Sequence, residues 1–466
     1  MNGNPEFRRN LWIQFSSTRV LVGSLLTGLP LLCAVALDMV LRATYESARS
    51  TVTQLPPLEF NITTYASRWL AISIVILWAG YVAAGAVVRE IRGRTWDAQR
   101  LSTLRPWTMA WGKLFGATSL AWTMALITAL TYAIAAAFER PLIGIAITLG
   151  GILGYGIVCQ ATGLLASLAR LSGRPGDRGG GTMGAFIVGL LATALLGAFA
   201  AWALDDRGWF GIRMSEHAVR LITIWFFALW AIVGVYRRMR RELQMRTAPW
   251  VWLLFLVSLA VYAEGLAYGR GQAGAALLLP SAVLMLMLWT ITLIEAKDPL
   301  TLRQCLGWFR RGQWRMAATL VPLWLVTYVI FAMTVIVSIV TAMGDAGMRV
   351  VQIPFVGSAD ALLILVAALL YLTRDVLLVQ TLTLGREGHM AGVAGAGILF
   401  VLYIAVPAVF IAGKQMDLLG LVLPTGQGGW MTCLLPVAAE VIACIVLFAW
   451  RWRVYWRVNA AKVQAA

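Results

Sequence analysis

The sequence predicts an all-α polytopic membrane protein. It should have about 12 transmembrane helices in two six-helix halves, residues 1–240 and 241–466, with both termini cytoplasmic. Three observations carry this reading. Of the 466 residues, 60% are hydrophobic and only 13% charged, about half the charged share of a water-soluble domain. Apolar runs of about 20 residues, each sufficient for one bilayer crossing as a helix, recur along the whole chain. Positive charge, finally, alternates between rich and poor from one connecting segment to the next.

The apolar runs lie near 20–41, 68–88, 114–138, 142–169, 183–204 and 219–236, then near 250–268, 274–294, 318–343, 359–383, 391–412 and 431–450. With the N-terminus inside, the cytoplasmic segments hold 27 of the 38 Lys and Arg residues and the outer loops hold 8. Lys and Arg in short loops fix orientation in this sense. The formal charge of +17 is therefore mostly topology. It predicts attraction to membrane lipid of the inner leaflet and no nucleic-acid partner.

Taken in order, residues 1–40 superficially resemble a secretory leader, with Ala34-Val35-Ala36 as a cleavage site. The segment is long, Asp38 follows closely, and its loss would upset the charge alternation downstream, so it is read as the first span. The sequon Asn61-Ile62-Thr63 sits in the longest outer loop and matters only in a secretory host.

The next connection, residues 89–113, holds six Lys/Arg against two acids. Thr95 and Asp97 suit a helix start and Pro106 its stop, which predicts a short positioned helix on the cytoplasmic face, a docking element for a cytosolic partner. In the fourth span Gly150 and Gly154 make a small-xxx-small pair that favours close helix approach.

The second half follows the same plan. Residues 236–250 are basic and aromatic, like residues 5–19, and lead into the seventh span; residues 295–317 repeat the Trp- and Arg-rich loop. Two such halves would be related by an axis along the membrane normal. Trp69, Trp202, Trp250, Trp252, Trp289, Trp430, Trp450 and Trp452 fall at expected span boundaries, where indoles anchor to the interface.

Little in the chain points to chemistry. Cys33, Cys159, Cys305, Cys433 and Cys444 show no CxxC spacing, and His217 and His389 are the only histidines, so neither a metal nor a cofactor is expected. No phosphate-binding GxxxxGK[ST] occurs, since Gly112-Lys113 precedes Leu and Gly413-Lys414 precedes Gln. Any ATP hydrolysis would then belong to a partner subunit. Asp38 and Glu264 lie near expected outer ends and read as solvated groups.

Glu440 falls near the middle of the last span, where a charge usually has a partner or lines a wet path. Arg374, in the tenth span, is its expected partner. At about 1.5 Å per residue the two lie roughly 21 and 13 Å from the outer surface, a gap a long guanidinium can close. Asp375 points elsewhere on its helix and needs its own partner.

At the loop from Arg89 the chain resembles the membrane subunits of ABC type-2 export permeases. In that family the second and third spans are joined by acidic–x–x–Gly–Thr–(Leu/Trp)–acidic, then Leu, Pro and a Gly-Lys opening the third span. Glu90, Gly93, Thr95, Trp96, Asp97, Leu101, Pro106, Gly112 and Lys113 match this form, with Arg94 inserted between Gly93 and Thr95. The basic lead-in at 7–19 and the outer segment 205–218 also fit the family plan.

The resemblance covers residues 5–240 and extends to the second half by layout only: loop 295–317 has Glu295, Asp298 and Pro299 but no Gly-Thr pair. It implies a permease component of an ABC exporter in the bacterial cytoplasmic membrane, with no nucleotide-binding domain of its own and no catalytic role. The loop would contain the coupling helix that sits in a groove of the ABC ATPase subunit. Glu90 and Asp97 would offer charge to that groove, Trp96 and Leu101 an apolar plug, and Gly93 the tight entry turn. One chain would serve two ATPase copies, or two chains would associate. The competing reading is a secondary transporter of the major facilitator kind, whose signature loop Glu90-Ile-Arg-Gly-Arg94 echoes. A membrane enzyme acting on lipid or glycan would need an acid–base set that the sequence does not display.

Overall fold

In a computed structural model the chain is described over residues 4–49, 62–102, 104–138, 140–171, 182–202, 209–212, 214–245, 247, 249–269, 273–295, 299–344, 350–353, 357–385, 391–413, 415–424 and 430–464. Among these residues, 11 helices are long and apolar enough to cross a membrane. The protein is a multi-pass, essentially all-helical membrane protein. Its expected eighth span is the helix Ala273–Ile294, from which the next helix, Pro299–Arg310, turns away by 115°. Asn61, Asp298 and His389 lie outside the described residues, as does the side chain of Trp202.

The chain divides into two compact units, Met1–Asp206 with Ser215–Thr247, and Arg207–Met214 with Ala248–Ala466. The first begins with a short helix, α1 (Pro5–Gln14), capped by Asn4, whose Oδ1 accepts from Phe7 N at 3.0 Å. The spans α2 (Ser17–Arg49) and α3 (Ile62–Arg92) follow. Two short helices come next, α4 (Trp96–Leu101) and α5 (Pro106–Trp111), and a wide π-helical turn, Gly112–Gly116, leads into the spans. These are α6 (Ser119–Ala136), α7 (Leu142–Leu171), α8 (Thr182–Trp202) and α9 (Glu216–Glu242).

Helix α7 is the hub, packed by α3, α8 and α9. Small residues allow this. A Cβ on Gly154 would sit 2.3 Å from Ile224 Cγ2, and one on Gly156 would sit 1.8 Å from Val75 Cγ1. In a membrane, where lipid is as apolar as the helices, such close backbone approach drives association. Asp38, expected to be solvated, is buried and accepts from Thr63 N at 3.2 Å. Its carboxylate thereby takes up one of the unpaired N–H groups that open α3.

The second unit comprises α10 (Trp250–Gly269), α11 (Ala273–Ile294), α12 (Pro299–Arg310), α13 (Trp314–Leu320) and α14 (Leu323–Gly344). After an antiparallel pair, Val350–Ile353 with Gly357–Asp360, come α15 (Ala361–Thr383), α16 (Ala391–Ala412) and α17 (Trp430–Gln464). The hairpin is the exception to the all-helical expectation, and its last residue, Asp360, caps α15 by accepting from Leu362 N at 2.9 Å. Helix α15 is the core element, packed by α11, α14, α16 and α17. Residues 209–212 fold onto α10, where Phe210 N donates to Gly265 O at 2.9 Å, so this stretch groups with the second unit rather than the first.

One expected parallel between the halves is corrected. Residues 5–14 form a separate helix, whereas residues 236–242 are simply the last turns of α9. Nothing interrupts helical periodicity before Glu242, so the basic run extends the sixth span rather than opening the seventh.

Candidate functional site

The loop between α3 and α6 is built around one buried cation. Lys113 lies in the wide turn Gly112–Gly116, closed by Ala117 N donating to Gly112 O at 3.1 Å. Its ammonium, 1% exposed, donates to Glu6 Oε1 at 3.3 Å, to Gln99 Oε1 at 2.9 Å and to Glu90 Oε2. Arg9 closes the ring by donating to Glu6 Oε1 at 3.0 Å and to Glu90 Oε1. Two carboxylates thus face two cations. Every charge has an opposite partner, which is the condition for holding ions away from water.

Neutral groups complete the network. Gln99 donates through Nε2 to Glu90 Oε1 at 2.9 Å. Asn10 Nδ2 donates to Glu6 Oε1 and to Gly112 O, both at 3.2 Å. Glycine at 112 is required by contact, because a Cβ there would lie 2.5 Å from Glu6 Cγ. The result joins the end of α3 (Glu90), the loop helix α4 (Gln99), the turn before α6 (Lys113) and the N-terminal helix α1 (Glu6, Arg9, Asn10).

Trp96 adds an apolar anchor. Its indole is buried among Val87, Met109, Leu164, Leu168 and Met239, from α3, α5, α7 and α9. Lys113 Nζ lies 5.2 Å from its ring centre. Arg100 ties the same helix to the end of α9, donating through Nε to Glu242 O at 3.0 Å.

Several details differ from expectation, each for a local reason. The helix predicted between Thr95 and Pro106 ends at Leu101, and Pro106 instead opens α5 at its first turn, the position a proline tolerates best. Gly93 has φ −76°, and the left-handed residue of the entry turn is Arg94, at φ 57°. Arg94, the residue inserted relative to the permease pattern, is what closes α3: Thr95 N then donates to Glu90 O at 2.9 Å, a standard helix-ending geometry. Glu90 and Trp96, read as surface groups offered to a partner, are consumed internally. Asp97 and Leu101 are the outward ones, at 85% and 87% exposure.

Sequence reasoning did not single out Glu6, Arg9, Asn10 or Gln99. The one available signal is that Glu6 is the sole acid of a basic N-terminal segment.

A second polar cluster lies inside the second unit. Arg374, 3% exposed, donates through Nη1 to Glu440 Oε2 at 2.7 Å. It also donates through Nε and Nη2 to Asp375 Oδ1, at 3.0 and 2.9 Å. Asp375 therefore shares the Arg374 guanidinium, contrary to the expectation of a separate partner: the long arginine side chain curls back onto its sequence neighbour. Asp375 Oδ2 accepts from Tyr403 Oη at 2.6 Å and Trp289 Nε1 at 3.0 Å, so the half-buried Trp289 also serves as a donor within the unit. Glu440 remains 44% exposed.

Loop 295–317 uses its acid differently. Glu295 accepts from Leu323 N at 2.8 Å and Trp324 N at 2.9 Å, capping α14. Cys305 is buried, which pushes its thiol above the ordinary cysteine pKa, and it donates to Ala317 O at 3.6 Å. Among the described residues no group of His, Cys, Asp and Glu is arranged to hold a metal ion. Comparison with known protein families, with curated proteins and with solved structures finds no match for this chain.

Proposed function

We propose that the chain is the membrane-spanning permease component of an ABC transporter, an exporter coupled to separate ATPase subunits through loop 89–113 on the cytoplasmic side. The observation that carries this reading is the way the loop is fastened. A short helix with an outward Asp97 and Leu101 is tied through Gln99 to Glu90 of the second span and to Lys113 of the turn before the third, and through Arg100 to the end of α9. Force applied at Asp97 has little slack to take up, because Lys113 behind it is buried and held by Glu6, Glu90 and Gln99 together. It would pass into three span ends at once, which a lever beneath a bilayer requires. The sequence resemblance of the same residues to ABC type-2 permeases supports the reading independently, and the excess of Lys and Arg in this loop supports its inner-face placement.

The decisive experiment is isolation of the chain from its own host in mild detergent, expected to bring down an ATP-hydrolysing subunit whose activity falls when Asp97→Arg is introduced. Cargo movement in vesicles driven by an ion gradient, with no such companion, would replace this proposal with a secondary transporter of the facilitator kind. One observation favours that second reading: the half-exposed Glu440 carboxylate, paired with Arg374 inside a span, is a group an ion-coupled carrier would use.

A further inference from the structure

On one face of the second unit, α12 and the end of α17 enclose a cavity of about 440 Å³ lined by Arg303, Leu306, Gly307, Arg310, Trp452, Arg453 and Trp456. Its composition is unusual for a protein surface: three guanidinium groups and, among the described lining residues, no carboxylate. None of the three arginines is in an ion pair among the described residues, whereas the cations Arg9, Lys113 and Arg374 all are. Arg303 is instead placed over an indole, its Cζ 4.2 Å from the ring centre of Trp456. Trp452 in turn packs on Trp456 with ring centres 5.6 Å apart. A cation–π contact of this kind leaves guanidinium N–H groups available, and their planar fork matches the oxygens of a phosphate.

Position supplies the second part. Trp452 and Trp456 sit at the end of the last span, Cys433–Arg457, where indoles mark the interface between lipid tails and headgroups. Helix α12 carries Leu300, Leu306 and Phe309 exposed beside its arginines, the composition of a helix lying along that interface. The cavity therefore opens at headgroup depth, with apolar side chains beside it to receive acyl chains.

We infer that this cavity binds a phosphate group carried on the headgroup of an anionic lipid, held by Arg303, Arg310 and Arg453 over the Trp452–Trp456 pair. The inference needs only that the chain crosses a bilayer, and is independent of which transport mechanism it uses.

The test is native mass spectrometry of the full chain released from vesicles of equal phosphatidylglycerol and phosphatidylcholine. The triple variant Arg303→Gln, Arg310→Gln, Arg453→Gln is compared with Arg92→Gln, Arg94→Gln, Arg105→Gln, which removes equal charge from exposed positions of the first unit. The unaltered protein should retain phosphatidylglycerol over phosphatidylcholine; the first triple should lose that preference about tenfold and the second should keep it. Replacing the same three arginines by lysine should preserve part of the preference, which separates lost charge from lost folding. Equal loss in both Gln triples would show a diffuse surface attraction and overturn the site. So would unchanged retention in the first triple. Thermal protection of the detergent-solubilised chain by sodium phosphate as great as that by phosphatidylglycerol would assign the cavity to a free anion and overturn the lipid source.

Discussion

Loop 89–113 carries six Lys and Arg against two acids, and loop 295–317 carries five against two. Each follows the second long helix of its unit. In the first loop the cation Lys113 points inward and is met by Glu6 and Glu90. In the second, Arg303 and Arg310 line an open cavity with no acid among its described lining residues, and the acid Glu295 accepts from the backbone of α14. The difference originates in the N-terminal helix. Residues 5–14 bring Glu6 and Arg9 against the first loop, while the corresponding basic run of the second half is absorbed into α9. Similar composition thus yields a loop fastened through a buried, paired cation in one unit and one whose arginines line an accessible cavity in the other.

The sharpest way to break this contrast is Lys113→Met. It leaves two largely buried carboxylates, 3% and 12% exposed, with the part-exposed Arg9 as their only remaining cation. Removing one member of a buried ionic network costs about 3–5 kcal/mol. The expected result is a large fall in thermal midpoint in detergent, partly restored by adding Glu90→Gln. A midpoint within a degree of the parent would mean that the network is wet and does not rigidify the loop.

Next in size is a matched pair of indole truncations. Trp96→Ala empties a site walled by four helices and should cost about 3–5 kcal/mol. Trp314→Ala removes a ring that is 60% exposed and should change stability by less than about 0.5 kcal/mol. Equal effects on denaturation would erase the distinction between an anchored loop and an open one.

A smaller effect tests the second loop itself. Glu295→Ala removes the acceptor for two N–H groups at the start of α14, and loss of such a cap costs about 1–2 kcal/mol. Hydrogen exchange at Leu323 and Trp324 should accelerate several-fold, with the first unit unaffected. Unchanged exchange at those amides would show that other acceptors satisfy them.

What the residues disclose and what they hide follows from range. Apolar runs are local, so the spans can be read directly, and so can the pairing of Arg374 with Glu440, which rests only on depth along two helices. The ring around Lys113 joins groups 107 and 14 residues apart, Glu6 and Gln99, and no periodicity announces such a meeting. Trp96 illustrates the same limit: a tryptophan in a basic loop reads equally well as a plug for a partner or as an anchor into its own bundle. Only the positions of Val87, Leu164 and Met239 decide for the anchor. Arg374 and Asp375 show the reverse error, where a rule about which way adjacent residues face ignores the reach of an arginine.

With Glu90 and Trp96 occupied internally, Asp97 and Leu101 are the outward acid and apolar residue of the motif, and on the proposal above they would meet a partner. This yields the prediction with the smallest structural footprint. Asp97 makes only a loose contact with Arg100, at 3.7 Å, and is 85% exposed. Asp97→Arg should therefore leave thermal stability within about 0.5 kcal/mol, and Leu101→Asp should do the same. If the loop is the lever proposed above, either change should nevertheless cut transport-coupled ATP hydrolysis about tenfold, since reversing a charge or inserting one at a docked contact opposes the partner's surface. Equivalent changes in loop 295–317, Arg310→Asp for example, should disturb lipid preference more than coupling. Full coupling in both Asp97→Arg and Leu101→Asp, measured beside intact folding, would leave the fastened loop as a structural brace and move the docking surface elsewhere on the inner face.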